Sequence, residues 1–378
     1  MTQEFEFSDE LVELRTMVRD FCREFSPEAV VREAMESDTG HDPALWRRFG
    51  SELGVLGLAV PEAYGGDDAG LVAQAVAVEE MGAALVCGPV LGTVALAMPA
   101  LAALTDEDAK RELLPELCSG AKLATLVAPL SDGTLDADAV TVTARTTDGA
   151  WRLGGEVTQA PDAGTADLLL VVATTDEGPA LFAVAGDAAG LTRTPLTTLD
   201  LTRRQAALSF AGTPARLLAT GAEALGACAR AALVAGVLLA VEQVGGAQRM
   251  LDITVAHVAN RKQFGQAVGA YQAVKHRCAN MLIAVETARS AAYHGVWALQ
   301  DGTDDPQLAA SLAKAVASES YAWVSTSAIQ MHGGLGFTWE GTPQLYFKRA
   351  TTDSLTLGTA EQHFDRIAGQ VLDGLVRA

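Results

Sequence analysis

Chemically specialised side chains are scarce in this sequence, and each scarcity removes a class of function. The five cysteines (Cys22, Cys87, Cys118, Cys228, Cys278) are scattered, and no two form a CxxC pair. A metal centre or disulfide framework is therefore not expected, and a reducing compartment suits the chain. Basic residues are few: 27 Lys and Arg face 47 Asp and Glu, a formal net charge of −20. A surface this acidic repels phosphate backbones, so nucleic acid is not an expected partner. An anionic cofactor stays open, because a local arginine or a helix N-terminus binds phosphate on an acidic protein. No stretch reads as a membrane span. The most apolar one, Ala231 to Val241, is bounded by Arg230 and Glu242 and reads as a buried helix. The first residues (MTQEFEFSDELVEL) hold no apolar run of the kind a secretory signal needs, so a cytoplasmic location is expected. Common short catalytic motifs are missing too: there is no Walker loop, HExxH or GxSxG.

What is present is apolar bulk. Apolar residues make up 49% of the 378 residues, enough for a large core in two or three packed units. Periodicity divides the chain into three parts, and the expected class is α+β. Residues 1–126 read as a helical domain. Ser8 is a plausible N-cap, and Leu11, Leu14, Val18, Phe21 and Cys22 form one apolar helical face. Pro43 opens a second helix carrying Trp46 and Phe49, and Val60 to Gly66 has turn chemistry. Helical patterns run from Asp68 to Cys118 with interruptions near Pro89 and Pro99. Residues 127–218 read as a small β-domain, with strands expected at 139–144, 151–153, 168–173, 180–184 and 205–210. Residues 219–378 return to long helices (222–261, 272–299, 309–331, 360–376), which predicts a four-helix bundle.

Two constellations in the last part carry chemistry. One is Arg261-Lys262-Gln263-Phe264-Gly265 with Tyr271-Gln272-Ala273-Val274; the other is Gln330-Met331-His332-Gly333-Gly334-Leu335-Gly336-Phe337. Taken alone, the glycine run is a helix-ending turn with free backbone amides, and Arg261 is a helix-end cation. Their order and spacing together, with Val60-Pro61-Glu62, Tyr64-Gly65-Gly66 and Leu357-Gly358-Thr359, resemble the acyl-CoA dehydrogenase family over nearly the whole chain. The resemblance implies an oxidoreductase that uses flavin adenine dinucleotide (FAD), oxidises an acyl-CoA to its 2,3-enoyl-CoA and passes electrons to an electron-transfer flavoprotein. It implies a tetramer in which a flavin is shared between neighbouring subunits. It also implies roles toward the neighbour's FAD for Arg261, Gln263, Phe264, Val268, Tyr271, Val274, Gln330 and Gly334, and a cofactor-binding role for Thr359. The chemistry suits: a guanidinium makes paired, charge-assisted bonds to phosphate.

The chain also departs from the family. Where members carry a Thr-Glu-Pro-x-x-Gly-Ser-Asp flavin loop, it reads Val127-Ala128-Pro129-Leu130-Ser131-Asp132-Gly133, leaving Pro129, Ser131 and Asp132 as vestiges. The family's Trp-Ile-Thr-Asn becomes Val157-Thr158-Gln159-Ala160, in which Thr158 still offers a hydroxyl. The base that removes the α-proton is absent, since Leu357 and Ala235 occupy its two usual positions. Glu242 is the nearest substitute by helical spacing, though a structural role suits it better, and Glu340 and His332 are weaker candidates. No catalytic residue and no metal ligand is therefore assigned. The leading expectation is one subunit of a heteromeric, α2β2 acyl-CoA dehydrogenase whose partner supplies the base, an arrangement that some actinobacterial enzymes of sterol side-chain degradation resemble. The rivals are a homo-oligomeric flavoenzyme with a relocated base or different chemistry, and a non-catalytic scaffold or ligand-binding member.

Overall fold

A computed structural model describes residues 7–130, 134–302 and 304–377. The N-terminal helices are α1 (Asp9–Phe25), α2 (Glu28–Glu36), α3 (Pro43–Ser51), α4 (Gly70–Ala83), α5 (Met98–Ala102) and α6 (Glu107–Cys118). Ser8 caps α1 by accepting from the Leu11 amide, and Val18 and Cys22 of the expected face are buried. The sequence reading did not mark α2. Its N-cap is Pro27, which makes no side-chain capping bond, so the usual start signal is missing. The helix opened by Pro43 is thus the third. No break falls near Pro99. A buried π-helical stretch, Val90–Ala97, runs straight into α5, and Pro99 sits just past the junction.

Seven strands follow: β1 (Ala124–Val127), β2 (Thr143–Thr147), β3 (Ala150–Pro161), β4 (Leu168–Thr175), β5 (Gly178–Ala185), β6 (Leu191–Pro195) and β7 (Gln205–Thr220). β2, β3, β7, β5 and β4 pair in turn, and β4 meets β2 again at Thr174 and Thr143. The ladder closes on itself, which leaves few open edges. β1 adds parallel to β4, and β6 adds antiparallel to β7. The strand expected at 139–144 begins instead at Thr143, after a short 3-10 turn at Ala137–Ala139. β1 went unmarked because all four of its residues are buried, so no polar alternation announces it.

The C-terminal part holds α7 (Gly221–Asn260), the short strands β8 (Lys262–Gln263) and β9 (Gln266–Ala267), and α8 (Gln272–Asp301). It continues with α9 (Pro306–His332), α10 (Gly334–Phe337), α11 (Pro343–Leu355) and α12 (Ala360–Arg377). α7, α8 and α9 pack on one another, and α11 and α12 pack on α9. α7 contains a window long and apolar enough to cross a membrane, but 72% of that window is buried inside the protein. It is the central helix of the core. α11 went unmarked because its inner face mixes Leu345, Tyr346 and Ala350 with buried Gln344, Arg349 and Asp353. Charge on a buried face hides a helical period.

α4 and α7 meet backbone to backbone. A Cβ on Gly245 would collide with the carbonyl oxygen of Glu79, and one on Gly82 with the Glu242 backbone. Gly245→Ala is therefore expected to destabilise the fold by roughly 1–3 kcal/mol, the usual cost of overpacking, as read from chemical denaturation.

Candidate functional site

α7 ends at Asn260, and the Arg261 amide caps it by donating to His257 O at 2.9 Å. A two-residue hairpin turn follows, formed by Phe264 and Gly265, both at positive φ (51° and 82°). Such turns match the twist of a hairpin but suit glycine or asparagine, not phenylalanine. Phe264 accepts this conformation while its ring is 92% exposed. Nothing among the described residues rewards that placement. The hairpin closes where Val268 N donates to Arg261 O at 2.7 Å. Tyr271 then turns the chain into α8, its hydroxyl 3.5 Å from Gln263 O, and Val274 follows half-buried one turn on. Arg261 is exposed, and its guanidinium has no partner among the described residues.

The second constellation arrives at the same end of the bundle. His332, last residue of α9, stacks on His257 of α7 with ring centroids 4.3 Å apart. Burial, His332 and Arg261 together hold the His257 pKa below its ordinary value. His332 Nδ1 is 2.8 Å from Ala328 O and so donates to it, a structural use of that ring. Arg277 of α8 donates to Gln330 Oε1 at 2.7 Å, which leaves the Gln330 amide N–H groups free to donate outward.

The glycine run sorts by function. Gly333 is needed for its φ of 63°, and Gly336 because a Cβ there would meet Ile329 O at 2.6 Å. Gly334 is in neither situation: its φ is not positive and no atom lies within 4 Å of a Cβ built on it. The chain's own fold explains two of these glycines and leaves Gly334 open to an outside group. An unpaired guanidinium, an exposed aromatic ring, a carboxamide with free N–H groups and an open glycine fit the phosphate and adenosine end of a dinucleotide. Thr359 is differently used. It caps α12 with Gln362 in a reciprocal box, Thr359 N to Gln362 Oε1 at 2.8 Å and Gln362 N to Thr359 Oγ1 at 3.3 Å. On the β side, Ser131 and Asp132 lie outside the described residues, Pro129 follows β1, and Thr158 is exposed on β3 beside an irregularity in its pairing with β7.

Known proteins match the chain over nearly its whole length. Residues 8–121 match the acyl-CoA dehydrogenase N-terminal domain, and residues 221–372 match the acyl-CoA dehydrogenase C-terminal domain. The acyl-CoA dehydrogenase IpdE2 of Mycolicibacterium smegmatis is 35% identical over 346 residues, covering 92% of this chain and 93% of the relative. The chain belongs to the acyl-CoA dehydrogenase family. Among solved structures, a variant of the Tcur3481-Tcur3483 steroid ACAD is 32% identical, with a TM-score of 0.85 over 97% of this chain and 99% of that one. The ChsE4-ChsE5 complex from Mycobacterium tuberculosis is 26% identical, with a TM-score of 0.86 over 98% and 99%. The α+β class read from the sequence is the class of this oxidoreductase family.

An acyl-CoA dehydrogenase needs a base at the α-carbon, and neither usual position supplies one here. Ala235 and Leu357 are both buried and apolar. Leu357 also sits at a φ of 59°, a conformation that costs a branched residue about 1–2 kcal/mol. Its loop is pinned from beneath. Lys314, fully buried, donates to Gly358 O at 3.1 Å, Asp353 O at 3.0 Å and Ser318 Oγ at 2.8 Å, and burial pushes its pKa down to about 8. His363 Nε2 donates to Leu357 O at 2.9 Å.

Glu242 is buried and committed. Its Oε1 accepts from Arg203 Nη2 at 2.7 Å and also from Arg349 Nη1. Burial works against its charge, but the two arginines outweigh burial and hold the carboxyl below its ordinary range. That is the opposite of what a general base near neutral pH needs. Glu340 is exposed on the surface, where bonds from its own amide and from Thr338 lower its pKa. Arg203 and Arg349 were absent from the sequence reading. Their only signal there was a lone glutamate in an apolar helix, which demands cations from elsewhere.

Arg349 also bonds Asp200 Oδ2 at 2.8 Å and Thr202 Oγ1 at 2.6 Å. Asp353 is the incomplete member. Arg203 Nε is 3.3 Å from its Oδ1, too poorly aligned to bond, and neither carboxyl oxygen accepts a hydrogen bond. Burial drives its pKa up to about 7 despite Arg203. Two outcomes are expected. Glu242→Gln leaves two buried arginines short of an anion and should cost about 3–5 kcal/mol of stability, seen as a large fall in Tm. For Asp353 the folded pKa lies above the unfolded one. Between the two values the folded state keeps a proton that the unfolded state has released, so stability falls as pH rises toward 7. Asp353→Asn should remove that fall, and its gain in Tm over the parent should be larger at pH 8 than at pH 5.

Proposed function

We propose that this chain is one subunit of a heteromeric acyl-CoA dehydrogenase, arranged α2β2, and that it serves a partner's FAD rather than a complete site of its own. The observation that carries this reading is an asymmetry. The residues matched to the family's dinucleotide motifs gather at one end of the bundle, with Arg261 unpaired among the described residues and the Gln330 amide nitrogen free, whereas both base positions are buried and apolar and the nearest carboxylate is tied to two arginines. FAD, when bound, supplies the hydride acceptor for oxidation of the acyl-CoA to its 2,3-enoyl-CoA.

Each residue of this chain then has a task. Arg261 pairs with the pyrophosphate oxygens, and Phe264 flanks the adenosine. Gln330 donates through the amide that Arg277 leaves free, and Gly334 lets the backbone approach. The partner brings the glutamate and the intact flavin loop, and an electron-transfer flavoprotein takes the electrons. Exposed apolar side chains beside these groups, Phe337 at 80% and Leu335 at 52%, suit burial against that partner. Two related structures are named for protein pairs, ChsE4-ChsE5 and Tcur3481-Tcur3483, and the second is called a steroid ACAD. A sterol-derived acyl group is accordingly the favoured substrate class.

The test is the visible absorption spectrum of the chain alone and after co-expression with a second acyl-CoA dehydrogenase-family chain. Flavin bands confined to the co-purified complex, at one FAD per pair of chains, are expected. Within that complex, Arg261→Ala should weaken FAD binding by roughly 10- to 100-fold, the worth of a hydrogen bond to a charged group. A yellow protein from this chain alone, with one flavin per chain, would overturn the reading.

A further inference from the structure

A cleft of about 810 Å³ lies between the N-terminal helices and the bundle, walled by α1, α4, α7, α8 and the start of α11. None of the residues matched to the family's flavin motifs lines it. Its α7 wall is Gly245 to Asp252, where the α4–α7 backbone contact closes the floor.

The charge on its walls does not balance. Five arginines face it: Arg15, Arg19, Arg23, Arg249 and Arg289. Two buried glutamates of α4 take three of them. Arg15 is 2.7 Å from Glu79 and 3.3 Å from Glu80, Arg19 is 2.7 Å from Glu80, and Arg289 pairs with Glu79. Of the other two wall carboxylates, Glu28 pairs with Arg32 at 2.7 Å, and Asp252 accepts only from the neutral Gln248 amide at 2.8 Å and keeps its charge, so five arginines face four carboxylates. Arg23 reaches only the exposed Asp20, and Arg249 has no carboxylate partner among the described residues. A positive excess thus collects in one concave place on a chain of net charge −20. Such an excess within low-dielectric walls is a field that gathers anions. The remaining wall is apolar, with Val31, Leu85 and Leu345 among its residues. Pockets of this size with a few convergent polar groups and an apolar lining are the usual form of small-molecule sites.

We propose that this cleft binds a small organic anion, its carboxylate or phosphate on Arg249 and the α1 arginines and its apolar body against Val31, Leu85 and Leu345. The inference rests on the cleft alone and does not depend on how the chain serves FAD. It is tested by thermal melting of the full chain with hexanoate and, separately, with inorganic phosphate, each against sodium chloride at equal ionic strength. A saturable rise in Tm that Arg249→Gln abolishes is expected. Arg249 is exposed and outside any ion pair, so this variant should fold as the parent does. A rise with hexanoate alone assigns a carboxylate, and a rise with phosphate alone assigns a phosphate ester. A Tm that follows only ionic strength, or a rise that survives both Arg249→Gln and Arg23→Gln, would overturn the proposal.

Discussion

Glu242 sits in α7, the long apolar helix at the centre of the core, and its carboxylate accepts from two arginines at once, one in the loop before β7 and one on α11. A single buried group thereby joins three distant parts of the sequence. Each of these ions loses its water on folding, at a cost of several kcal/mol, and only complete pairing offsets it. Arg349 completes its share through Asp200 and Thr202. The apolar contacts around this node supply most of the driving force but no direction. The ion pairs have direction, and they set where the β region and α11 sit against α7.

That arrangement divides the molecule into an inside and an outside with different uses. Inside, titratable groups are spent on architecture. Glu242 is held ionised by cations, Lys314 pins the loop that carries Leu357, and the Leu357 carbonyl is held by His363. None is poised to move a proton to or from a substrate. Outside, at one end of the bundle, Phe264 adopts a strained turn to expose its ring, and Gly334 is a glycine its own fold does not require. Residues whose identity the chain cannot explain from within point to contact from without.

Much of this was legible beforehand. The long helices of the last part announce themselves by period, so their limits fell within a few residues of those observed. The two motifs at the end of the bundle were legible because their order and spacing resemble those of the family. The missing base was legible as a leucine and an alanine where a carboxylate belongs. What escaped was structure without local punctuation. α2 begins at a proline with no capping side chain, β1 is buried on both faces, and α11 hides its period behind a buried arginine and aspartate.

The sequence by itself determined the order of helical, β and helical parts, the family, and the presence of its C-terminal motifs beside a leucine and an alanine at the usual base positions. These are properties of neighbours along the chain, within the reach of a turn or a helix. Tertiary structure alone decided what Glu242 holds, since its arginines lie 39 and 107 residues away. It alone placed His257 on His332, and so brought the two motifs to one end. It alone gathered the arginines of α1, α7 and α8 around one cleft. Packing makes such pairings, because burial forces a charge to find whichever partner the fold carries to it.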